Sequence, residues 1–282
     1  MEEERPQTIQ MGRAKALESV KDRNPSRLLE FPRTETKWQL DPIFHEGGKM
    51  TGQVVLCGAT QVAGPDVGLK AIVKTLFRVC KDAGPIKTVD DLKEISKVLS
   101  EDATRELRML KGATEMGCTA TANLLDYKVE IQTAEDIIEG AYALHILMEK
   151  IPGRDLEGFG ELSMAERNEA RIAFGTAIRE FSSCGYIHYD PHPGNIMWDP
   201  EGKKAYIIDF EDICSKDVAR SARIDDFYTW GLAGPYLSYV DPMVASFDIG
   251  RPMPDEAELR RVATETMGKG LVMVEVLDYY GL

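Results

Sequence analysis

The sequence predicts an α+β protein in three parts: an extension over residues 1–36, a five-stranded antiparallel sheet with a helix over 37–150, and a mainly helical region over 151–282. Three observations carry this expectation. Short β-branched and aromatic runs punctuated by glycine recur between Trp38 and Glu149. Pro152-Gly153 interrupts the chain directly after the last of them. Beyond that break, Ser163-Met-Ala-Glu166 has the spacing of a capping box and opens an amphipathic helix.

At 282 residues, with 43% apolar and 29% charged side chains, the chain is long enough to bury one or two cores. Acids outnumber bases 47 to 34, for a net charge of −13. Such a field repels phosphate backbones and disfavours nucleic-acid binding outside local basic clusters such as Lys70, Lys74, Arg78 and Lys81. The first residues, Met1-Glu-Glu-Glu-Arg-Pro, lack the positive start and apolar run of a signal peptide. The best apolar stretch, Ala141 to Met148, is far below membrane-spanning length and is interrupted by His145. Cys57, Cys80, Cys118, Cys184 and Cys214 form no CxxC and no Cys/His cluster, which favours reduced thiols and a cytoplasmic location, with no membrane partner.

Taken in order, residues 1–35 are charged and Pro-interrupted, with Gly12 to Lys21 suited to a short helix. Leu40, Ile43 and Phe44, then Glu46-Gly47-Gly48-Lys49, then Gln53 to Cys57 read as strand, glycine turn and strand. Gly68 to Phe77 is β-branched at its centre and reads as a third strand, with Lys70 and Lys74 on one face by period-2 alternation. Thr88 to Val98 and Ser100 to Lys111 read as helix. In the second part Ala103, Leu107 and Leu110 mark an apolar face beside Glu106. Asn123 to Ile131 and Ala141 to Glu149 complete the five strands. Past the Pro152-Gly153 break, Ala170, Ala173, Phe174, Ala177, Ile178 and Phe181 share one face of a helix that ends at Gly185. Pro254 to Met267 and Leu271 to Tyr280 read as further helices.

The chemistry is concentrated between Tyr186 and Asp212. Asn195 to Trp198 and Ala205 to Ile208 are apolar runs separated by a Pro- and Gly-containing turn, the pattern of a hairpin. Pairing them brings Asp190 and Asn195, which enter the first strand, close to Asp209, which leaves the second. Two carboxylates and an amide oxygen so placed repel unless a hard cation such as Mg²⁺ joins them.

His188-x-Asp190-x-x-x-x-Asn195 followed by Asp209-Phe210-Glu211 resembles the protein-kinase-like superfamily. The closer resemblance is to the aminoglycoside and choline phosphotransferases and to UbiB-like atypical kinases, because His192 falls in the Asp-x-His-x-x-Asn pattern of the phosphotransferase type. This implies a bilobal kinase-like fold that uses ATP and Mg²⁺ to phosphorylate a hydroxyl. Carried over residue by residue, Asp190 is the base, His188 braces its loop, and Asn195 and Asp209 hold the metal. Ala71-Ile72-Val73-Lys74 resembles the strand whose lysine clamps the nucleotide phosphates, with Lys70 in reserve. Glu106 is the best match for the helix carboxylate that pairs with that lysine, and Glu101 is the runner-up. Glu149 and Ile151 stand where the family's hinge binds adenine through its backbone. Ile224 to Gly231 resembles the Asp-x-Trp-x-x-Gly helix, with Asp226 as the anchor of the catalytic loop.

Departures from the family pattern are informative as well. Tyr189 replaces the Arg that receives an activating phosphate, so no phosphorylation switch is expected. The segment from Glu211 to Asp225 is short and lacks Ala-Pro-Glu, which favours a small-molecule acceptor over a peptide. The spaced three-glycine pattern is missing, and Glu211 replaces a glycine, which adds negative charge beside the metal site and makes it either a further ligand or a sign of changed nucleotide handling. These two departures motivate a second expectation: a kinase scaffold turned to nucleotidyl or aminoacyl transfer, as in tRNA-dependent cyclodipeptide synthases, with tRNA as partner, or a pseudokinase binding module.

Overall fold

The computed structural model describes residues 27–49, 52–78, 99–133, 136, 141–215 and 226–232. The helices expected over Gly12 to Lys21, Thr88 to Val98, Pro254 to Met267 and Leu271 to Tyr280 lie outside these residues. The described chain forms two compact units: residues up to Thr104 together with Leu124–Lys150, and Arg105–Asn123 together with the residues from Ile151 onward.

In the first unit the strands are β1 (Leu28–Phe31), β2 (Thr36–Lys49), β3 (Gly52–Ala63), β4 (Lys70–Arg78), β5 (Leu124–Ile131) and β6 (Tyr142–Glu149). They pair antiparallel in the order β1-β2-β3-β4-β6-β5. The sheet therefore has six strands rather than the expected five. The additional strand is β1, four residues ended by Pro32, whose alternation buries Leu29 and Phe31 and exposes Leu28 and Glu30. Leu29 and Phe31 complete an apolar cluster with Trp38, Cys57, Ala59, Ala71, Val73 and Leu147. In β2 the register shifts between Leu40 and Ile43, around Pro42. A bulge tolerates proline, which has no N–H for the ladder.

Although β1 and β5 are the two ends of the strand order, side chains join them. Arg27 pairs with Glu130, the Arg33 guanidinium lies 4.4 Å from the centre of the Tyr127 ring, and Thr34 Oγ1 donates to Asp126 Oδ2 at 2.7 Å. The twisted sheet thus brings its two edges near each other, joined through side chains. Inside it, His145 on β6 faces Thr75 on β4. Its Nε2–H donates to Glu130 Oε1 at 2.7 Å, and its Nδ1 lies 2.8 Å from Thr75 Oγ1, so a neutral imidazole satisfies both partners. Burial raises Glu130, but its hydrogen bond from His145 and its hydrogen bond and ion pair with Lys128 outweigh this and hold its carboxyl below the usual range.

The second unit contains most of α1 (Glu101–Glu115), then β7 (Arg154–Asp155), α2 (Met164–Ser183), β8 (Tyr186–His188), β9 (Ile196–Asp199), β10 (Lys204–Ile207), β11 (Ile213–Ser215) and the short α3 (Asp226–Thr229). Two small antiparallel sheets form, β10-β9-β7 and β11-β8. Residues 105–123, expected with the sheet of 37–150, group here because their contacts lie here. Tyr186 Oη donates to Met109 O at 3.4 Å, Ile207 N–H to Ala120 O at 2.8 Å, and Thr119 is held by the Glu180 carboxylate. Gly112 makes room for the Tyr186 hydroxyl, since a Cβ there would lie 2.7 Å from it.

The start of α2 is a capping box, in which Ser163 Oγ accepts from Glu166 N–H at 3.3 Å and Glu166 Oε2 accepts from Ser163 N–H at 3.0 Å. Its inner face buries Ala170, Ala173, Phe174, Ala177, Ile178 and Phe181. Phe174 packs on Phe227 and Trp230 at centroid distances of 5.4 and 5.5 Å, and Phe181 packs on Tyr186 at 5.5 Å.

Gly153 admits the β7 turn to the β9 backbone. It has φ +95°, and a Cβ there would lie 2.2 Å from Trp198 O and 2.8 Å from Asp199 N. Gly153→Ala is expected to lower stability by about 2–4 kcal/mol, because it combines a disfavoured φ with a clash against rigid backbone. The midpoint of urea denaturation measures this.

Candidate active site

The site is built on the turn that follows β8. The β8–β11 pairing sets His188 opposite Ile213, and Tyr189 N–H donates to Asp212 O at 2.7 Å, continuing the ladder by one bond. His188 is buried and bridges two segments. Its Nδ1 accepts the Asp190 N–H at 3.1 Å, so its Nε2–H donates to Ile208 O at 3.2 Å. Trp230 meets the ring edge-on, with centroids 5.1 Å apart, and Gly231 approaches Pro193 so closely that a Cβ would lie 3.0 Å from its Cγ. The loop is thus supported by the segment of the Asp-x-Trp-x-x-Gly resemblance. Within that segment Trp230 and Gly231 make the described contacts with the loop, while Asp226 is buried and its carbonyl accepts the Trp230 N–H at 2.9 Å.

Asp190 itself is exposed, and its Oδ2 lies 3.6 Å from His192 Nε2. His192 Nδ1 accepts the Gly194 N–H at 3.1 Å and caps a 3₁₀ turn over Pro193–Asn195. Asn195 is buried; its Nδ2 donates to the Asp190 carbonyl at 2.9 Å, and its carbonyl accepts from Ile208 N–H at 3.0 Å. The β9–β10 hairpin pairs Ile196 with Ile207, which carries the chain from Asn195 back to Asp209 as the sequence pattern requires.

Asp209 has φ +64°, a left-handed conformation uncommon for a residue with a side chain. The turn at this residue buries Phe210, which meets Phe181 at a centroid distance of 6.5 Å, and Glu211 O accepts from Arg105 Nη1 at 3.0 Å. In this arrangement one carboxylate oxygen from each of Glu106, Asp209 and Glu211 lies within 4.8 Å of the others. Glu106 is buried, at 2% exposure, on α1. Three carboxylate oxygens so close form a hard, strongly negative donor set that suits Mg²⁺. The sequence pairs Glu106 with the strand lysine and offers Glu211 as a further metal ligand, but it does not place the two side by side. The two carboxylates are 105 positions or so apart in the chain, and only packing of α1 against the Asp209 turn brings them together.

The remaining expected residues are placed as follows. Lys74 is on β4 in the first unit and is 6% exposed. Lys70 is exposed, and its Nζ donates to Thr60 Oγ1 at 2.6 Å. Glu101 is exposed at the start of α1. Glu149 ends β6 opposite Ala71, with its side chain exposed, and Ile151, half-buried, opens the second unit.

Burial holds the His188 imidazole below its usual value, against the opposing effects of the Ile208 carbonyl and the Asp209 and Asp190 charges. Burial lowers His145 too, against its bond to Glu130. Both histidines are therefore less readily protonated in the folded chain than in the unfolded one, whose value is near 6.5. The stability this contributes is complete above that value and is lost as pH falls through it, since the unfolded chain then binds more protons. The thermal midpoint is expected to drop between pH 8 and pH 5, with a limiting slope of about 1.4 kcal/mol per pH unit for each histidine. His188→Gln should flatten this profile.

Comparison with known proteins bears on this segment. Residues 184–220 match the sequence profile of the phosphotransferase enzyme family. Among solved structures, vaccinia related kinase 3 is similar at 11% sequence identity and a TM-score of 0.45, over 93% of this chain and 81% of that one. No curated protein sequence matches significantly. The profile match makes the loop-and-hairpin segment similar to that of phosphotransferases and supports a kinase-like phosphotransferase.

Proposed function

We propose that the chain transfers the terminal phosphoryl group of ATP to a hydroxyl of a small molecule, with Mg²⁺. The observation that carries this reading is the convergence of Glu106, Asp209 and Glu211, within 4.8 Å of one another, at the turn immediately downstream of a hairpin whose entry loop presents Asp190. The donor set fits Mg²⁺, with Asp209 and Glu211 as ligands, Glu106 beside them, and the amide oxygen of Asn195 as a further ligand. When bound, the ion neutralises phosphate charge and aligns the oxygens of the transfer.

Asp190 accepts or orients the proton of the acceptor hydroxyl, and its exposure leaves it open to a substrate. His188 holds the Asp190 backbone to Ile208 through both ring nitrogens and is kept neutral by burial, so it positions the loop without charging it. Lys74 clamps the nucleotide phosphates, and Glu149 and Ile151 supply backbone groups to adenine. The short segment after Glu211, without Ala-Pro-Glu, and Tyr189 in place of Arg favour a small acceptor and no activating phosphate. Among the described residues no helix is long and apolar enough to cross a membrane.

Thermal shift with ATP and Mg²⁺ tests the reading. At a hundredfold excess over Kd the expected stabilisation is about 2.7 kcal/mol, and it should vanish when EDTA replaces Mg²⁺. Absence of any shift at millimolar ATP·Mg²⁺ would move the assignment to a repurposed scaffold. Given a shift, hydroxyl-bearing metabolites should be phosphorylated in preference to a peptide library.

A further inference from the structure

We propose that Cys118 and Cys184 form a reversible disulfide, a modification site that does not depend on the phosphotransferase reading. Both cysteines are free thiols whose side chains act on each other's environment, although they lie in separate parts of the sequence. One residue organises both. The Glu180 carboxylate takes the N–H and the hydroxyl of Thr119, the residue after Cys118, the latter at 3.0 Å, while the Glu180 carbonyl accepts the Cys184 N–H at 3.1 Å. Cys118 is further fixed by its own N–H, which donates to Ala113 O at 2.9 Å. The pair therefore ties the end of α1 to the end of α2, two residues ahead of β8.

The two thiols differ in access, which defines an order of attack. Cys184 is partly exposed and Cys118 is buried at 2% exposure. The Cys184 thiolate attacks a low-molecular-weight disulfide such as glutathione disulfide, expelling one glutathione as its thiolate and leaving a mixed disulfide on Cys184. Cys118 then loses its proton and attacks the Cys184 sulfur, expelling the second glutathione. Two protein thiols are oxidised and one glutathione disulfide is reduced to two thiols, so electrons and protons balance. Burial pushes the Cys118 thiol up to about 12, which makes the second exchange the slow one and accelerates it as pH rises. The other described cysteines are placed differently: Cys57 is buried on β3 of the first unit, and Cys214 Sγ lies 3.3 Å from Tyr189 Oη.

The experiment incubates the full chain with mixtures of glutathione and glutathione disulfide at pH 8, quenches with an alkylating reagent and maps peptides without reduction. The expected result is a cross-linked Cys118–Cys184 peptide that dithiothreitol removes. Cys184→Ser should abolish it, and Cys118→Ser should instead accumulate the glutathione adduct on Cys184. Because the bridge closes a loop of roughly sixty-five residues, the oxidised chain should melt about 5 °C or more above the reduced one. Recovery of Cys118 as a free thiol while Cys184 carries glutathione throughout the titration would overturn the proposal. So would a bridge from either cysteine to Cys57, Cys80 or Cys214.

Discussion

Asp209→Asn is expected to eliminate the Mg²⁺-dependent thermal shift with ATP and to lower turnover by about 10³-fold, the scale of losing one preorganised electrostatic contact to the reacting phosphates. Asparagine is the informative replacement. Residue 209 has φ +64°, which Asn tolerates better than Ala, so the variant removes charge without adding backbone strain. A full ATP·Mg²⁺ shift in this variant would refute the metal assignment.

Asp190→Ala should have a different signature: kcat lower by about 10²–10⁴-fold, with the ATP·Mg²⁺ shift retained. The side chain is exposed, and the loop's own bonds use backbone atoms of residue 190, whose N–H donates to His188 and whose carbonyl accepts from Asn195. Alanine keeps both, so folding should be unaffected. Paired measurements of kcat and of the KM for ATP decide the matter. Unchanged kcat would exclude Asp190 as the base, and a raised KM with unchanged kcat would reassign it to binding.

Much of this architecture is legible before any coordinates. The α2 helix follows from its capping box and six apolar residues at helical spacing, and β4 follows from a β-branched run. The β9–β10 hairpin follows from a turn flanked by two apolar stretches. These are local signals, set by residues a few positions apart. What escaped is non-local. β1 is too short to register by itself, and its identity depends on Leu29 and Phe31 finding Trp38 and Leu147. Likewise Glu106 carries no mark of its proximity to Glu211, and the role of Trp230 beside His188 depends on α3 packing against α2. The helix carboxylate Glu106 is legible as a residue of interest, but its proximity to Asp209 and Glu211 is not.

The side-chain links between the edges of the first sheet have a practical corollary for anyone dissecting the chain. A fragment trimmed to begin at residue 37 would discard Leu29 and Phe31 along with Arg27, Arg33 and Thr34, uncapping an apolar cavity and releasing Glu130, Tyr127 and Asp126 at the far margin in one cut. Both rims of the resulting ribbon would be adhesive, so insolubility of such a fragment would report on a missing stave rather than on an inability of the strands to fold. Cloning limits for this unit belong ahead of Arg27.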